Sequence, residues 1–264
     1  SSLVLLAAVG QDQKKPAKAG TEACLAMAIE FIRTISEGKK IYGILHLPRN
    51  PSPPCVIASH GLFSSKESEK LVEIGELFSA QGIAVIRYDH QGCGESEGDL
   101  SATTTSSRIK DLEAVFELAA NHPLLGDRLG LLGSSMGGFI SIFKASTDFR
   151  VKALALWATP SHLGDKKGYQ DTENHPGGDP LGEAFYRDLK KYDARQAIMR
   201  VENCLILHGE ADELVPLSQA RELYAAARTP KHLEVFPGGD HRFTNLRHRR
   251  QACRMSFEWF QRYL

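Results

Sequence analysis

The sequence lacks an excess of charge of either sign, because its 32 lysines and arginines balance 32 aspartates and glutamates. A neutral chain has no broad attraction for a polyanion, so nucleic acid is not expected as a partner. The one late basic run, residues 247–250, is typical of a solvated helix start. Apolar runs long enough to span a bilayer, which takes about 20 residues, are also missing. Residues 1–10 are apolar but short, and no basic segment precedes them as in a signal peptide.

Cysteine is scarce and odd in number, with five scattered residues: Cys24, Cys55, Cys93, Cys204 and Cys253. None of these cysteines has the close spacing of a zinc or redox motif, so we expect no metal site. The pattern favours a reduced compartment, and we expect a cytoplasmic protein, with a secreted or periplasmic location left open. The oligomeric state also stays open, a homodimer included.

Internal repeats are absent from the sequence, and what it contains is an alternation of apolar runs and helical periods. Residues 26–35 and 40–47 flank a turn at Glu37-Gly38, which predicts an antiparallel hairpin. The later alternation predicts an α/β protein with a mostly parallel sheet of eight strands flanked by helices. We expect a segment of unassigned role at 1–25 and a single domain at 26–264.

Residues 160–200 interrupt this alternation with a connection longer than a crossover needs. Such insertions are often lids over a site, although a surface elaboration without a catalytic role is the alternative. A helix is predicted over 181–195. We expect its Phe185 and Tyr186, with His175 before it, to contact a small or aromatic substrate, and Asp188 to lie among their polar neighbours.

The candidate nucleophile lies in Gly133-Ser134-Ser135-Met136-Gly137, which follows a predicted strand and opens a predicted helix. A nucleophile on such a strained turn needs neighbours without side chains two positions before and after it. Ser135 has Gly133 and Gly137 at these positions, whereas Ser134 has two large residues. We therefore assign Ser135.

Backbone amides near Ser135 are candidates to bind the oxyanion of a tetrahedral intermediate. The N–H of Met136 lies at a helix start, where amides are unpaired. The second candidate is the N–H of Leu62 in the turn His60-Gly61-Leu62-Phe63, with Phe63 as the alternative. We interpret His60 as a buried structural residue, because a better base follows later.

The candidate acid and base come near the end of the chain. Asp212 and Glu213 both follow the predicted strand 204–207 and both stay open as the acid. His241 follows the last predicted strand through two glycines, which let a tight loop bring it over the sheet. A neutral histidine beside a carboxylate can take up the serine proton and return it. His208, His232 and His248 are interpreted as structural or surface residues.

These motifs together resemble the α/β-hydrolases of the small-esterase branch, which includes cinnamoyl/feruloyl esterases and monoacylglycerol-lipase-like enzymes. The resemblance runs from about residue 39 to residue 264 and is weakest in the insertion. It rests on His60-Gly61-Leu62, residues 88–96, residues 133–138, residues 209–212 with Val215-Pro216, and residues 239–241. One departure is Ser134, where many relatives carry histidine.

The resemblance implies the α/β-hydrolase fold with a small lid insertion, and it favours Asp212 over Glu213 as the acid. The order Ser135, Asp212, His241 is the order of that fold. The expected activity is hydrolysis of small, medium or aromatic-acid carboxylic esters through an acyl-enzyme, with an ester as the small-molecule partner and without a cofactor. A peptidase or thioesterase on the same triad is the first alternative, and a non-catalytic binding protein the second.

Overall fold

A computed structural model describes residues 28–163 and 180–264 of the chain. The strands in these ranges are β1 (Ala28–Ser36), β2 (Lys39–Leu47), β3 (Cys55–Ser59), β4 (Ala84–Tyr88), β5 (Leu129–Ser134), β6 (Val151–Trp157), β7 (Cys204–Gly209) and β8 (Lys231–Phe236). The helices are α1 (Glu69–Ala80), α2 (Thr105–Ala120), α3 (Met136–Thr147), α4 (Glu183–Leu189), α5 (Ala194–Ile198), α6 (Leu217–Ala226) and α7 (Leu246–Tyr263), with a short 3-10 turn at Leu100–Ala102.

The strands form one eight-stranded sheet in the order β1-β2-β4-β3-β5-β6-β7-β8. The hairpin β1–β2 is antiparallel, β2 also pairs antiparallel with β4, and the strands from β4 to β8 are mutually parallel. The predicted hairpin and the predicted mostly parallel sheet are therefore confirmed. Parallel strands need crossover helices, and these cover both faces of the sheet.

Two apolar cores lie on opposite faces of the sheet, because successive side chains of a strand point in opposite directions. On β3, Cys55 and Ile57 belong to one core and Val56 and Ala58 to the other. Helices α1 and α7 cover the second core, and α2 to α6 cover the first. This double cover explains why the central strands read as continuous apolar runs rather than as alternating ones.

One helix differs from the sequence predictions. The single helix predicted over 181–195 is in fact α4 and α5, because Asp193 has an extended backbone and its carboxylate accepts from the amides of Arg195 and Gln196. A residue that caps a new helix in this way ends the preceding one. The last helix begins at Leu246, because the Asn245 side chain caps it.

The loops after β3, β5, β7 and β8 all leave the sheet at the carboxyl ends of parallel strands, where sites of α/β folds gather. Four of the cysteines, Cys55, Cys93, Cys204 and Cys253, are buried free thiols. Of the helices in 28–163 and 180–264, none combines the length and the apolar character that a bilayer crossing requires. The middle of the insertion, residues 164–179, lies outside the described ranges.

Candidate active site

Ser135 stands between β5 and α3 in a backbone conformation that side-chain-bearing residues rarely adopt, with φ 55° and ψ −119°. The turn is possible only because its neighbours are glycines. A methyl group added at Gly133 would lie 2.4 Å from the backbone of Gly137, and one added at Gly137 would lie 2.1 Å from the Ser59 carbonyl. The backbone thus has the strained turn that the spacing predicted, and the strain falls on Ser135.

Helix α3 begins at Met136, directly after Ser135. Its first amides have no partner within the helix, and their dipoles favour negative charge in front of them. The loop after β3 lies against the same residue, because a methyl group added at Gly61 would lie 3.6 Å from Ser135 Cβ. The turn carrying Leu62 and the start of α3 therefore flank Ser135.

His60 is buried and bridges two backbone segments. Its Nδ1 donates to the Gly61 carbonyl at 2.6 Å, and its Nε2 accepts from the His90 amide at 3.1 Å. Burial lowers the pKa of His60 well below its ordinary value, and the nearby His90 and Arg108 lower it further. A neutral imidazole with both nitrogens engaged holds the loop in place, in agreement with the structural interpretation.

Arg108 is a residue of this site that the sequence analysis missed. It is fully buried on α2 and donates to the Leu62 carbonyl at 3.0 Å and to Cys93 Sγ at 3.3 Å. Its burial could have been predicted from helical spacing. Arg108 precedes Leu112 by four residues and Val115 by seven, and it therefore lies on the buried face of α2. A buried guanidinium at this carbonyl fixes the turn that contains the Leu62 amide.

The side chains of His241 and Asp212 are hydrogen-bonded to each other in the loops that follow β8 and β7. His241 Nδ1 donates to both carboxylate oxygens of Asp212, at 2.9 and 3.0 Å. The Asp212 side chain is fully buried, and that of His241 is 9 % exposed. Because Nδ1 donates to the carboxylate, Nε2 carries the lone pair that can accept a proton.

Glu213, the alternative acid, has a different partner. Its carboxylate accepts from the backbone amide of His241 at 3.1 Å, whereas the imidazole contacts Asp212. Asp212 also accepts from the amides of Leu214 and Val215 at 3.0 and 2.7 Å, which fixes the turn after β7. The two adjacent carboxylates thus hold the same loop by different atoms, and only Asp212 bonds to the imidazole ring.

A cleft of about 510 Å³ opens over this arrangement and is lined by Ser135, His241, Leu62 and Val215 among others. Charged side chains also line it, namely Glu69, Lys70, Arg242 and Arg249. The carboxylates of Glu69 and Glu73 bind the Arg249 guanidinium at 2.8 and 2.9 Å. Arg249 is therefore mostly buried and joins α7 to α1. It belongs to the run 247–250, which was expected to be solvated.

Lys70 lines the cleft and is the second residue of the site that the sequence analysis missed. Its Nζ donates to Ser134 Oγ at 2.8 Å. Burial of the ammonium, with smaller effects of nearby charges, lowers the pKa of Lys70 to about 8. Helical spacing could again have indicated its position on the inner face of α1, because Lys70 precedes the apolar Ile74 by four residues and Leu77 by seven.

The residues predicted to contact a substrate from the insertion are placed differently. The Phe185 ring is fully buried in the core and packs against Tyr186 with ring centroids 5.4 Å apart. Neither residue lines the described cleft, and Phe185 exposes no surface to a ligand. Asp188 is also buried, where it accepts from the amide and hydroxyl of Ser106 and joins α4 to α2. His175 lies outside the described residues.

The strand order and the position of the cleft are typical of the α/β-hydrolase fold, and comparisons with known proteins agree. The model of the serine aminopeptidase (S33) family matches residues 51–171, less than half of the chain. The "uncharacterized peptidase YuxL" of Bacillus subtilis is 24% identical over 280 residues, which cover 97% of this chain and 43% of that protein. The 2,6-dihydropseudooxynicotine hydrolase of Paenarthrobacter nicotinovorans is 31% identical over 76% of this chain and 56% of its own length.

Among solved structures, Est1E from Butyrivibrio proteoclasticus with bound ferulic acid superimposes with a TM-score of 0.76. The sequence identity is 21%, and the superposition covers 88% of this chain and 98% of Est1E. The chain has the α/β-hydrolase fold, as its motifs predicted. It spans about half the length of the curated relatives it matches, with 43% and 56% for the two named above.

Proposed function

We propose that this protein hydrolyses carboxylic esters, with Ser135 as nucleophile, His241 as general base and Asp212 as the carboxylate that orients His241. The observation that supports this most is the bidentate contact of His241 Nδ1 with Asp212, at 2.9 and 3.0 Å, in the same cleft as Ser135. A serine on a strained strand-to-helix turn beside a carboxylate-held histidine is the arrangement that acyl transfer requires.

In the proposed mechanism, Ser135 Oγ attacks the ester carbonyl while His241 Nε2 takes up the hydroxyl proton. The amides of Leu62 and Met136 bind the oxyanion, and Arg108 holds the Leu62 turn through its carbonyl. Collapse of the intermediate releases the alcohol, which receives the proton from His241. Water then attacks the acyl-enzyme through the same steps and releases the acid, so no metal or organic cofactor takes part.

The substrate class we propose is small, medium or aromatic-acid esters. A cleft of about 510 Å³ lies within the range of about 300–1,000 Å³ that small-molecule sites occupy. Est1E, which shares the fold, binds ferulic acid, an aromatic acid. A cleft of this size that is lined in part by charged side chains favours such ligands over long acyl chains. Tyr186 and His175 stay proposed as contacts from the insertion.

Two rival activities use the same residues. A peptidase is suggested by the matching family model and by the name of YuxL, and a thioesterase would differ only in its leaving group. A non-catalytic binding protein is the third possibility, but such proteins usually lose a member of the triad, and all three are present here. The leaving group is selected by the cleft, so only turnover separates these activities.

We also propose that residues 26–264 form one domain with a lid at about 160–200, and that residues 1–25 are a separate segment. The covering of both sheet faces by helices supports the single domain. A cytoplasmic location is supported by the buried free thiols of Cys55, Cys93, Cys204 and Cys253, which persist in a reducing compartment.

A hydrolysis panel tests the proposed activity. We expect 4-nitrophenyl esters with two to six acyl carbons and methyl hydroxycinnamates to give a higher kcat/KM than esters of 12 to 16 carbons, thioesters or peptide 4-nitroanilides. The Ser135→Ala variant provides the control for background hydrolysis. Faster cleavage of the long-chain esters would contradict the proposed size class, and faster cleavage of peptide amides would change the proposed class of enzyme.

A further inference from the structure

Lys70 carries a positive charge into the cleft, and no carboxylate of the described residues is bonded to it. Its Nζ is held by the Ser134 hydroxyl at 2.8 Å. Across residues 28–163 and 180–264, Lys70 forms no ion pair with a carboxylate. An ammonium that is partly removed from water and unpaired is unfavourable, and this is why its pKa is lowered to about 8. The free protein therefore keeps a cation beside its candidate nucleophile at an energetic cost.

The carboxylates nearest to Lys70 are already engaged with other groups. The charged and titratable side chains around it are His60, Glu69, Glu73, Asp212, Asp240, His241, Arg242, Arg249 and Cys253. Of the acids, Asp212 binds His241, Asp240 binds Thr244, and Glu69 and Glu73 bind Arg249. Arg242 and Arg249 lower the pKa of Lys70 further, while Asp240 and Asp212 raise it, and burial dominates.

We propose that Lys70 binds a free carboxylate carried by the substrate, so that the protein prefers esters bearing one negative charge, such as monoesters of dicarboxylic acids. This inference rests on the proposed esterase function and names its substrate class. A single ammonium matches a single carboxylate, and the ion pair forms in a partly desolvated cleft where charge-assisted hydrogen bonds are strong.

The distance to the reacting centre limits the length of the substrate. Lys70 is bonded to the side chain of Ser134, and Ser134 is the residue adjacent to Ser135 in the chain. Consecutive Cα atoms are about 3.8 Å apart, so a carboxylate on Lys70 and a carbonyl at Ser135 are joined by a short spacer. Lys70 and Ser135 also line the same cleft, so monoesters of five- and six-carbon diacids are the substrates we propose to test.

The test compares monoethyl glutarate with ethyl pentanoate, and monoethyl adipate with ethyl hexanoate, by ethanol release. Each pair has the same acyl length and differs in the terminal carboxylate. We expect the ratio of kcat/KM, charged over neutral, to be at least about tenfold in the wild type. The ratio should fall to about one in Lys70→Met, be kept by Lys70→Arg, and be unchanged in Lys152→Met, which removes an exposed lysine of β6 instead.

The pH dependence separates contact from a structural role. The ammonium form binds the carboxylate, so the ratio should be constant at about pH 6–7, where the substrate carboxylate is ionised, and fall toward one as the pH rises through about 8. In Lys70→Arg the ratio should stay high to more alkaline pH, because a guanidinium stays charged. A ratio near one in the wild type, or the same ratio in Lys70→Met, would overturn the inference.

A binding measurement keeps this test independent of turnover. The Ser135→Ala protein is titrated by calorimetry with glutaric acid monoamide and with pentanamide, neither of which is an ester. We expect the charged amide to bind at least about tenfold more tightly, and Ser135→Ala/Lys70→Met to lose the difference. Equal binding contradicts the inference even where neutral esters are hydrolysed. A failure of all ester hydrolysis instead contradicts the proposed function.

Discussion

At the residue scale, the site contains pairs of adjacent residues with similar side-chain chemistry but different hydrogen-bonding partners. Asp212 and Glu213 are adjacent acids, and one binds the ring of His241 while the other binds its backbone amide. The two serines at 134 and 135 differ in the same way, because one bonds to Lys70 and the other occupies the strained turn. Chemical assignments at such positions require the direction of each side chain as well as its identity.

Asp212→Asn should lower kcat on 4-nitrophenyl butanoate by about 10³- to 10⁴-fold, because an amide cannot hold the imidazole in the same tautomer or stabilise the imidazolium. Glu213→Gln should stay within about threefold of the wild type, since its amide oxygen can still accept from the His241 amide. Steady-state kinetics measure both variants.

Thermal unfolding of these two variants is the control, because Asp212 also accepts from the amides of Leu214 and Val215. An inactive variant that unfolds at the wild-type temperature has lost a catalytic group and has kept its folded structure. If Glu213→Gln were inactive and Asp212→Asn active, the acid would be residue 213.

At the element scale, the site is assembled by four loops that leave parallel strands at one edge of the sheet. The loop after β3 supplies the Leu62 turn, the turn after β5 supplies Ser135, and those after β7 and β8 supply Asp212 and His241. Helix α7 reaches the same edge through Arg249, which binds two carboxylates of α1. Helices α2 to α6 cover the first face of the sheet. The break between α4 and α5 on this face was not predicted from the sequence.

The break between α4 and α5 leads to a prediction on stability. Asp193→Ala should lower the free energy of unfolding by about 0.5–2 kcal/mol, because it removes the acceptor for the Arg195 and Gln196 amides. Asp193→Asn is the matched variant and should retain most of the stability, since asparagine caps helices nearly as well. Urea unfolding followed by circular dichroism measures both. Equal loss in both variants would mean that the charge rather than the cap matters.

At the scale of the whole molecule, the mostly parallel sheet of eight strands followed from the sequence, because apolar periodicity and glycine positions are local signals. The glycines at 133 and 137 indicated the turn of Ser135 before any contact was known. Lys70 could not be assigned in this way, because its partner Ser134 lies 64 positions away and is reached only in the folded protein, where the first turn of α1 meets the end of β5. The burial of Phe185 likewise depends on packing between elements that are distant in the sequence.

The central claim is that Ser135 is the nucleophile, and covalent labelling with a fluorophosphonate tests it most directly. Peptide mapping by mass spectrometry locates the phosphonyl group on either serine of the pair. We predict that the wild type is labelled at Ser135, that Ser134→Ala is still labelled there, and that Ser135→Ala is not labelled. Labelling that persists in Ser135→Ala and disappears in Ser134→Ala would contradict the assignment.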